Sequence, residues 1–311
     1  LPYNGATDEG DWTGFILFEE LPHLYNPPEG FIVTANQRTV GTNYKYPQFA
    51  RDVAMPWRAH RIYELLKANS KITMNDVRDI QYDVFNLPLS NLAREIVKAN
   101  AASTESLAVL RGWDGRMTPD SRGALLANSI RSCLAEQISA NNKSIPAGLI
   151  SSRIVDFWGD EKTARWIPKE FADSAAFLRA CDALTEINLK SNYGTDETKW
   201  VWGALFKSRF PHPLAAAPLI GLQFAAPNVP IAGSGQTPNV GSSVSMRHIS
   251  SPGNWDATRF VIPLGESGNP QSTHYKDQFE AWRTGEPSVF PFSKDAVEKA
   301  AKETILLTPQ K

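Results

Sequence analysis

The sequence predicts an α+β fold from two patterns: turn-rich, strand-prone stretches at both ends, and a long run of helical periodicity between them. At 311 residues the chain is long enough for one large domain or two ordinary ones, with a substantial core. A hydrophobic share of 42% and a charged share of 21% are those of a globular protein. The pattern divides into a strand-rich segment over 1–55, a helical region over 56–200 and a loop- and strand-rich closing segment with C-terminal helices over 201–311.

In the first segment Trp12 to Phe18 and Gly30 to Ala35 are the expected strands, the second preceded by the turn signal of Asn26 to Gly30. Pro56 suits a helix first turn, and Ile62, Leu65 and Leu66 then form a stripe. Thr73 is an expected N-cap with Asp76 three residues on, ahead of Val77, Ile80 and Val84. Leu89, Leu92, Ile96 and Val97 mark another helix. Asp120 or Ser121 caps one carrying Leu125, Leu126, Ile130, Leu134 and Ile138, which ends in the break from Asn141 to Pro146. Phe177, Leu178, Cys181, Leu184 and Ile187 mark one more. Beyond Trp200 the helical signal fades. Strands are expected near Ser243 to Ile249 and Arg259 to Pro263, and helices from Ser272 to Trp282 and from Ser293 to Thr304. So few strands make no stable sheet by themselves, which points to a fold only partly contained in these residues.

Composition excludes several functions. A formal net charge of −1 gives no basic excess for nucleic acid or an anionic membrane. No run approaches the roughly 18–20 apolar residues of a membrane span. The opening residues carry no signal-peptide pattern, as expected of a chain already cut. Cys133 and Cys181 are too few for a disulfide framework or a tetrahedral metal site. They read as buried thiols, or as a single disulfide if the protein is exported.

Several segments then carry more than local structure. Asn26-Pro27-Pro28-Glu29-Gly30-Phe31-Ile32-Val33-Thr34-Ala35-Asn36-Gln37-Arg38 runs on through Tyr46-Pro47 to Trp57-Arg58-Ala59-His60-Arg61-Ile62. Trp200-Val201-Trp202-Gly203 is followed by His212-Pro213-Leu214. Ser245-Met246-Arg247 precedes Gly265-Glu266-Ser267-Gly268-Asn269-Pro270, His274-Tyr275-Lys276-Asp277-Gln278 and Trp282-Arg283-Thr284-Gly285. In this order and spacing they resemble the penicillin amidase family of N-terminal-nucleophile hydrolases, across nearly the whole chain. The fold this implies is the C-terminal portion of an αββα sandwich with a large helical insertion.

The resemblance implies a reaction and roles for residues. Family members cut themselves to expose an N-terminal Ser, whose hydroxyl attacks an amide carbonyl while its own α-amine takes the proton. An α-amine titrates near 7.7–8, so a useful fraction is neutral near neutral pH. Asn36 matches the family's oxyanion-hole asparagine, although the residue after it is Gln37 instead of a second Asn. Arg58 matches an arginine near the active site. Asp52 falls near an aspartate that binds a structural calcium ion, the one metal the resemblance implies, although one carboxylate does not make a site of six to eight oxygens. His274 and Asp277 could share a helix face, but with an amine as base they read as structural. His23, His60, His212 and His248 show no metal-ligand spacing.

Leu1 has no hydroxyl or thiol, so the resemblance places the nucleophile upstream of these residues, and the chain alone is expected to be inactive. Its implied partners are the α chain and the N-terminal part of the β chain of the same acylase. The implied substrate is a small-molecule amide, such as a β-lactam or an acyl-homoserine lactone, and the implied location is periplasmic or secreted. A non-catalytic module that binds a ligand or partner is the alternative.

Overall fold

Capping residues set the helices. The computed structural model describes residues 3–46 and 53–309. Helix α1 (Trp57–Lys67) follows Pro56 directly. Helix α2 (Met74–Gln81) opens on Thr73, whose hydroxyl accepts from the Asp76 N–H while the Asp76 carboxylate accepts from the Thr73 N–H at 2.7 Å. Asn86 caps α3 (Leu87–Lys98), Ser103 caps α4 (Thr104–Gly112), and Ser121 is the cap of α5 (Arg122–Asn141). After the expected break come α6 (Ala147–Arg153), the single turn α7 (Glu161–Ala164), and α8 (Ser174–Tyr193), capped by Asp173.

The core forms around α5. Ile130, Leu134 and Ile138 recur at helical spacing, are fully buried, and belong to one cluster with Leu92 and Ile96 of α3 and Phe177 and Leu178 of α8. Leu184 and Ile187, expected on the buried stripe of α8, are instead exposed, and Thr185 and Leu189 take the inner face. Arg131 of α5 forks onto Asp156 at 2.5 and 2.9 Å, and Asp156 is nearly fully buried.

Cys133 of α5 and Cys181 of α8 are joined in a disulfide with Cα atoms 5.6 Å apart, so neither is a free thiol. The bridge closes a loop of 48 residues. On the chain-entropy account it stabilises by about 4 kcal/mol. The unfolded, unreduced protein should therefore show no thiol by Ellman titration, and Cys133→Ser with Cys181→Ser should lower the melting midpoint by roughly 10 °C. Two titratable thiols without reductant, or an unchanged midpoint, would contradict the pairing.

Beyond α8, α9 (Trp202–Leu205) is a short turn. A three-stranded antiparallel sheet then runs β1 (Arg247–Ile249), β2 (Arg259–Val261), β3 (Ser288–Val289), with Arg247 opposite Val261 and Arg259 opposite Val289. The chain closes with α10 (Phe279–Thr284) and α11 (Lys294–Ala300). The helix expected from Ser272 to Trp282 is confined to α10, because Asn269 and Ser272 hydrogen-bond their own neighbours and hold 269–275 in turns. Trp12 to Phe18 and Gly30 to Ala35 are not strands either; Phe18–Glu20 is a 3-10 turn, Gly30 and Ala35 are bends, and the rest has no ladder. Their composition favours extension, but a strand needs a partner, and neither run has one among the described residues.

Contacts divide the chain into Leu1–Pro56 and Trp57–Lys311, so the helical and closing segments fall in one unit. Within that unit the remaining motifs are packing devices. The N–H groups of Trp202 and Gly203 donate to Ser121 and Pro119 at 3.0 and 2.7 Å, and a Cβ on Gly203 would meet Pro230 and the Pro119 carbonyl below 3.0 Å. Gly265 lies so close to the His274 carbonyl that a Cβ would collide with it, while Ser267 donates to that same carbonyl at 3.1 Å. Arg247 is buried without a carboxylate partner among the described residues. Its guanidinium lies 3.7 Å over the Tyr82 ring and donates to the Gln81 carbonyl and Asn239 Oδ1 at 2.7 and 2.9 Å, joining β1 to α2.

Candidate active site

Asn36 sits in the first unit, on a backbone that is held from two sides. Its φ of 63° lies in the left-handed region, which Asn adopts more readily than other non-glycine residues. The Asn36 carbonyl accepts from the Ala54 N–H at 2.7 Å, and Gln37 forms a parallel bridge with Ala54. On the other side the Gln37 amide folds back on the chain, accepting from the Ala35 N–H at 2.6 Å and donating to the Val33 carbonyl at 3.0 Å. Val33 and Ala35 are buried, whereas Asn36 is exposed. Gln37, the departure from the expected Asn pair, thus fixes the turn that presents Asn36.

Arg58 belongs to the second unit, at the second position of α1, where it is half-buried and burial lowers its pKa below the ordinary guanidinium value. One turn on, Arg61 is anchored at a buried carboxylate. It forks onto both oxygens of buried Asp83 at 3.0 and 3.1 Å and lies 4.7 Å over the Phe85 ring. Its hydrogen bond to Asp83 is the main reason its pKa is raised. Arg61 stands in the same sequence segment as Arg58, but its carboxylate lies 22 residues away, which no local pattern announces.

Asp52 and Pro47 lie outside the described residues. Among the described residues no three His, Cys, Asp or Glu side chains gather to hold a metal ion, so no step here is assigned to calcium. His274 Nδ1 and Asp277 Oδ2 are 2.8 Å apart, in an exposed turn instead of on a helix face. The structure also brings Ser250 Oγ to 2.9 Å from His248 Nε2, a contact the sequence reading missed. Both residues are exposed, and no carboxylate orients the imidazole among the described residues, so the pair lacks the third member of a nucleophile–base–orienter set.

An asparagine fixed in a turn beside a β-bridge is the kind of neutral donor that an oxyanion requires. The family model for penicillin amidase matches residues 1–299. The chain belongs to the penicillin amidase family. It is 27% identical over 336 residues to penicillin acylase 2 proenzyme of Pseudomonas sp. (strain SE83), covering 98% of this chain and 42% of that protein. It is 26% identical over 362 residues to acyl-homoserine lactone acylase QuiP of Pseudomonas syringae pv. syringae (strain B728a), covering 100% of this chain and 43% of that protein. The chain therefore spans about two-fifths of the length of these penicillin amidase relatives. Among solved structures it is similar to thermostable penicillin G acylase from Alcaligenes faecalis, with a TM-score of 0.58 at 13% identity over 97% of this chain and 61% of that one. That likeness shows the α+β fold of a penicillin acylase.

Proposed function

We infer that the chain is the C-terminal part of an acylase that hydrolyses linear amide bonds of small molecules, with the nucleophilic Ser at the N-terminus of residues preceding it. In this reading the Ser hydroxyl attacks the amide carbonyl and its α-amine takes the proton. Asn36 donates a hydrogen bond to the oxyanion, and the α-ammonium passes its proton to the substrate nitrogen, which leaves as the product amine. Water, deprotonated by the same α-amine, then releases the acyl group as a carboxylic acid and restores the Ser hydroxyl. Arg58 stabilises the surroundings of that centre. The observation that carries the reading is the Asn36 turn, pinned by Gln37 and Ala54 within a family segment.

The partners are the α chain and the N-terminal part of the β chain. In keeping with such partners, Trp12, Phe15, Phe18 and Tyr25 are each more than 80% exposed in the first unit, large aromatic side chains that a partner chain would cover. A periplasmic or secreted location is supported by the Cys133–Cys181 disulfide, which persists in oxidising compartments.

A chromogenic acyl-anilide assay tests the reading, using the chain alone and mixed with the upstream polypeptide. Activity should be absent alone, appear on mixing, and fall sharply with Asn36→Ala. Turnover by the chain alone would refute the upstream nucleophile and turn attention to Ser250 and His248.

A further inference from the structure

A cavity of about 260 Å³ opens between α4, α5 and α8. Its floor is apolar, made by Leu125, Leu189 and the Trp200 indole, which form a small cluster of their own. Its polar lining consists of Ser103, Ser106, three carboxylates (Glu105, Glu186 and Glu197) and Arg122, the sole cation among the lining residues. Arg122 is already engaged, 2.9 Å from Glu197. Glu186 pairs with Lys190, whereas Glu105 has no ion-pair partner among the described residues.

A fourth carboxylate stands behind this wall. Ser103, which lines the cavity, donates its N–H to Asp182 Oδ2 at 2.7 Å. Asp182 is 4% exposed, its other oxygen receives no hydrogen bond, and no cation pairs with it among the described residues. The Thr185 hydroxyl, one turn along α8, is also buried without a partner. Glu186 and Glu197 are offset by Lys190 and Arg122, so Glu105 at the rim and the buried Asp182 behind it leave the surroundings of the apolar pocket with a negative excess. An anion would be repelled there, and a neutral ligand would leave Glu105 unused.

We propose that this cavity binds a small organic ammonium ion. The apolar body of an alkylamine or arylalkylamine lies on Leu125, Leu189 and Trp200, and its charged nitrogen is held by Glu105 and Glu186. The volume is just below the range of drug-sized ligands, which restricts the site to small amines. The inference uses neither Asn36 nor Arg58 and does not rest on the proposed hydrolysis.

Calorimetric titration of the intact protein with phenethylammonium chloride, phenethyl alcohol and 3-phenylpropionate tests it. The ammonium ion should bind saturably, the alcohol at least tenfold more weakly, and the carboxylate more weakly still. Glu105→Gln, an exposed change in the first turn of α4, should weaken ammonium binding about fivefold and leave alcohol binding unchanged. Ser106→Trp, which fills the cavity, should remove both. Equal binding of ammonium and alcohol, no saturable ammonium binding, or ammonium binding undiminished in both Glu105→Gln and Glu186→Gln would overturn the assignment.

Discussion

Asn36→Gly should reduce kcat of the assembled acylase by about 10²–10³-fold, the loss expected on removing one oxyanion donor. Stability should change little, because glycine accepts the φ of 63° that Asn36 adopts. Asn36→Ala loses the same donor and adds the cost of placing a Cβ in the left-handed region, about 1–2 kcal/mol. Its kcat should match that of the glycine variant while its melting midpoint falls further. Asn36→Asp keeps the shape but presents an acceptor where a donor is required, so it should be the slowest of the three. Gln37→Leu removes the two hydrogen bonds to Val33 and Ala35, and should lower kcat less than any Asn36 change because the donor remains. Steady-state kinetics and thermal melts of the four variants separate donor from turn. Wild-type kcat in Asn36→Gly would end the oxyanion assignment.

The legible parts of the fold were those whose cause is local. Thr73 with Asp76 was readable as a cap, and Ser121 as one of two candidates, because a cap binds an N–H two or three residues away. The stripe of Ile130, Leu134 and Ile138 was readable because burial repeats with the helical turn. The motifs that place the chain among penicillin amidases were legible as strings, but not in their physical role. Nothing in Ser245-Met246-Arg247 announces that Arg247 stacks on Tyr82, or that Gly265 admits the His274 carbonyl. The candidate site was legible in the same partial way: Asn36 could be picked out by its segment and its clamp by Gln37 is local, whereas the Ala54 N–H that holds the Asn36 carbonyl comes from far along the chain. The expected strands of the first segment failed for the same reason. A single sequence shows the tendency to extend, while a ladder requires a partner that lies elsewhere.

The buried ion pair shows how much of the stability rests on such distant partners. Arg131→Met should destabilise the second unit by about 3–5 kcal/mol, because it leaves the Asp156 carboxylate buried without its cation. Gln236 Nε2 donates to Asp156 Oδ2 at 2.8 Å and would soften the loss without neutralising the charge. The double change Arg131→Met with Asp156→Leu should recover most of the stability, since both desolvation penalties then vanish. The pH dependence follows from the direction of the Asp156 shift. Burial raises its pKa even against the opposing effect of Arg131, and with Arg131 gone it should rise further. A carboxyl group whose folded pKa lies above its unfolded value of about 3.9 binds its proton more tightly in the folded state. Stability is then lost as pH rises from the unfolded towards the folded pKa. The penalty of Arg131→Met should accordingly be smaller at pH 4.5 than at pH 7.5, and the double variant should lack that difference. Urea melts at the two pH values test this: a pH-independent penalty in Arg131→Met would mean that Asp156 is not a buried charge kept in place by its arginine.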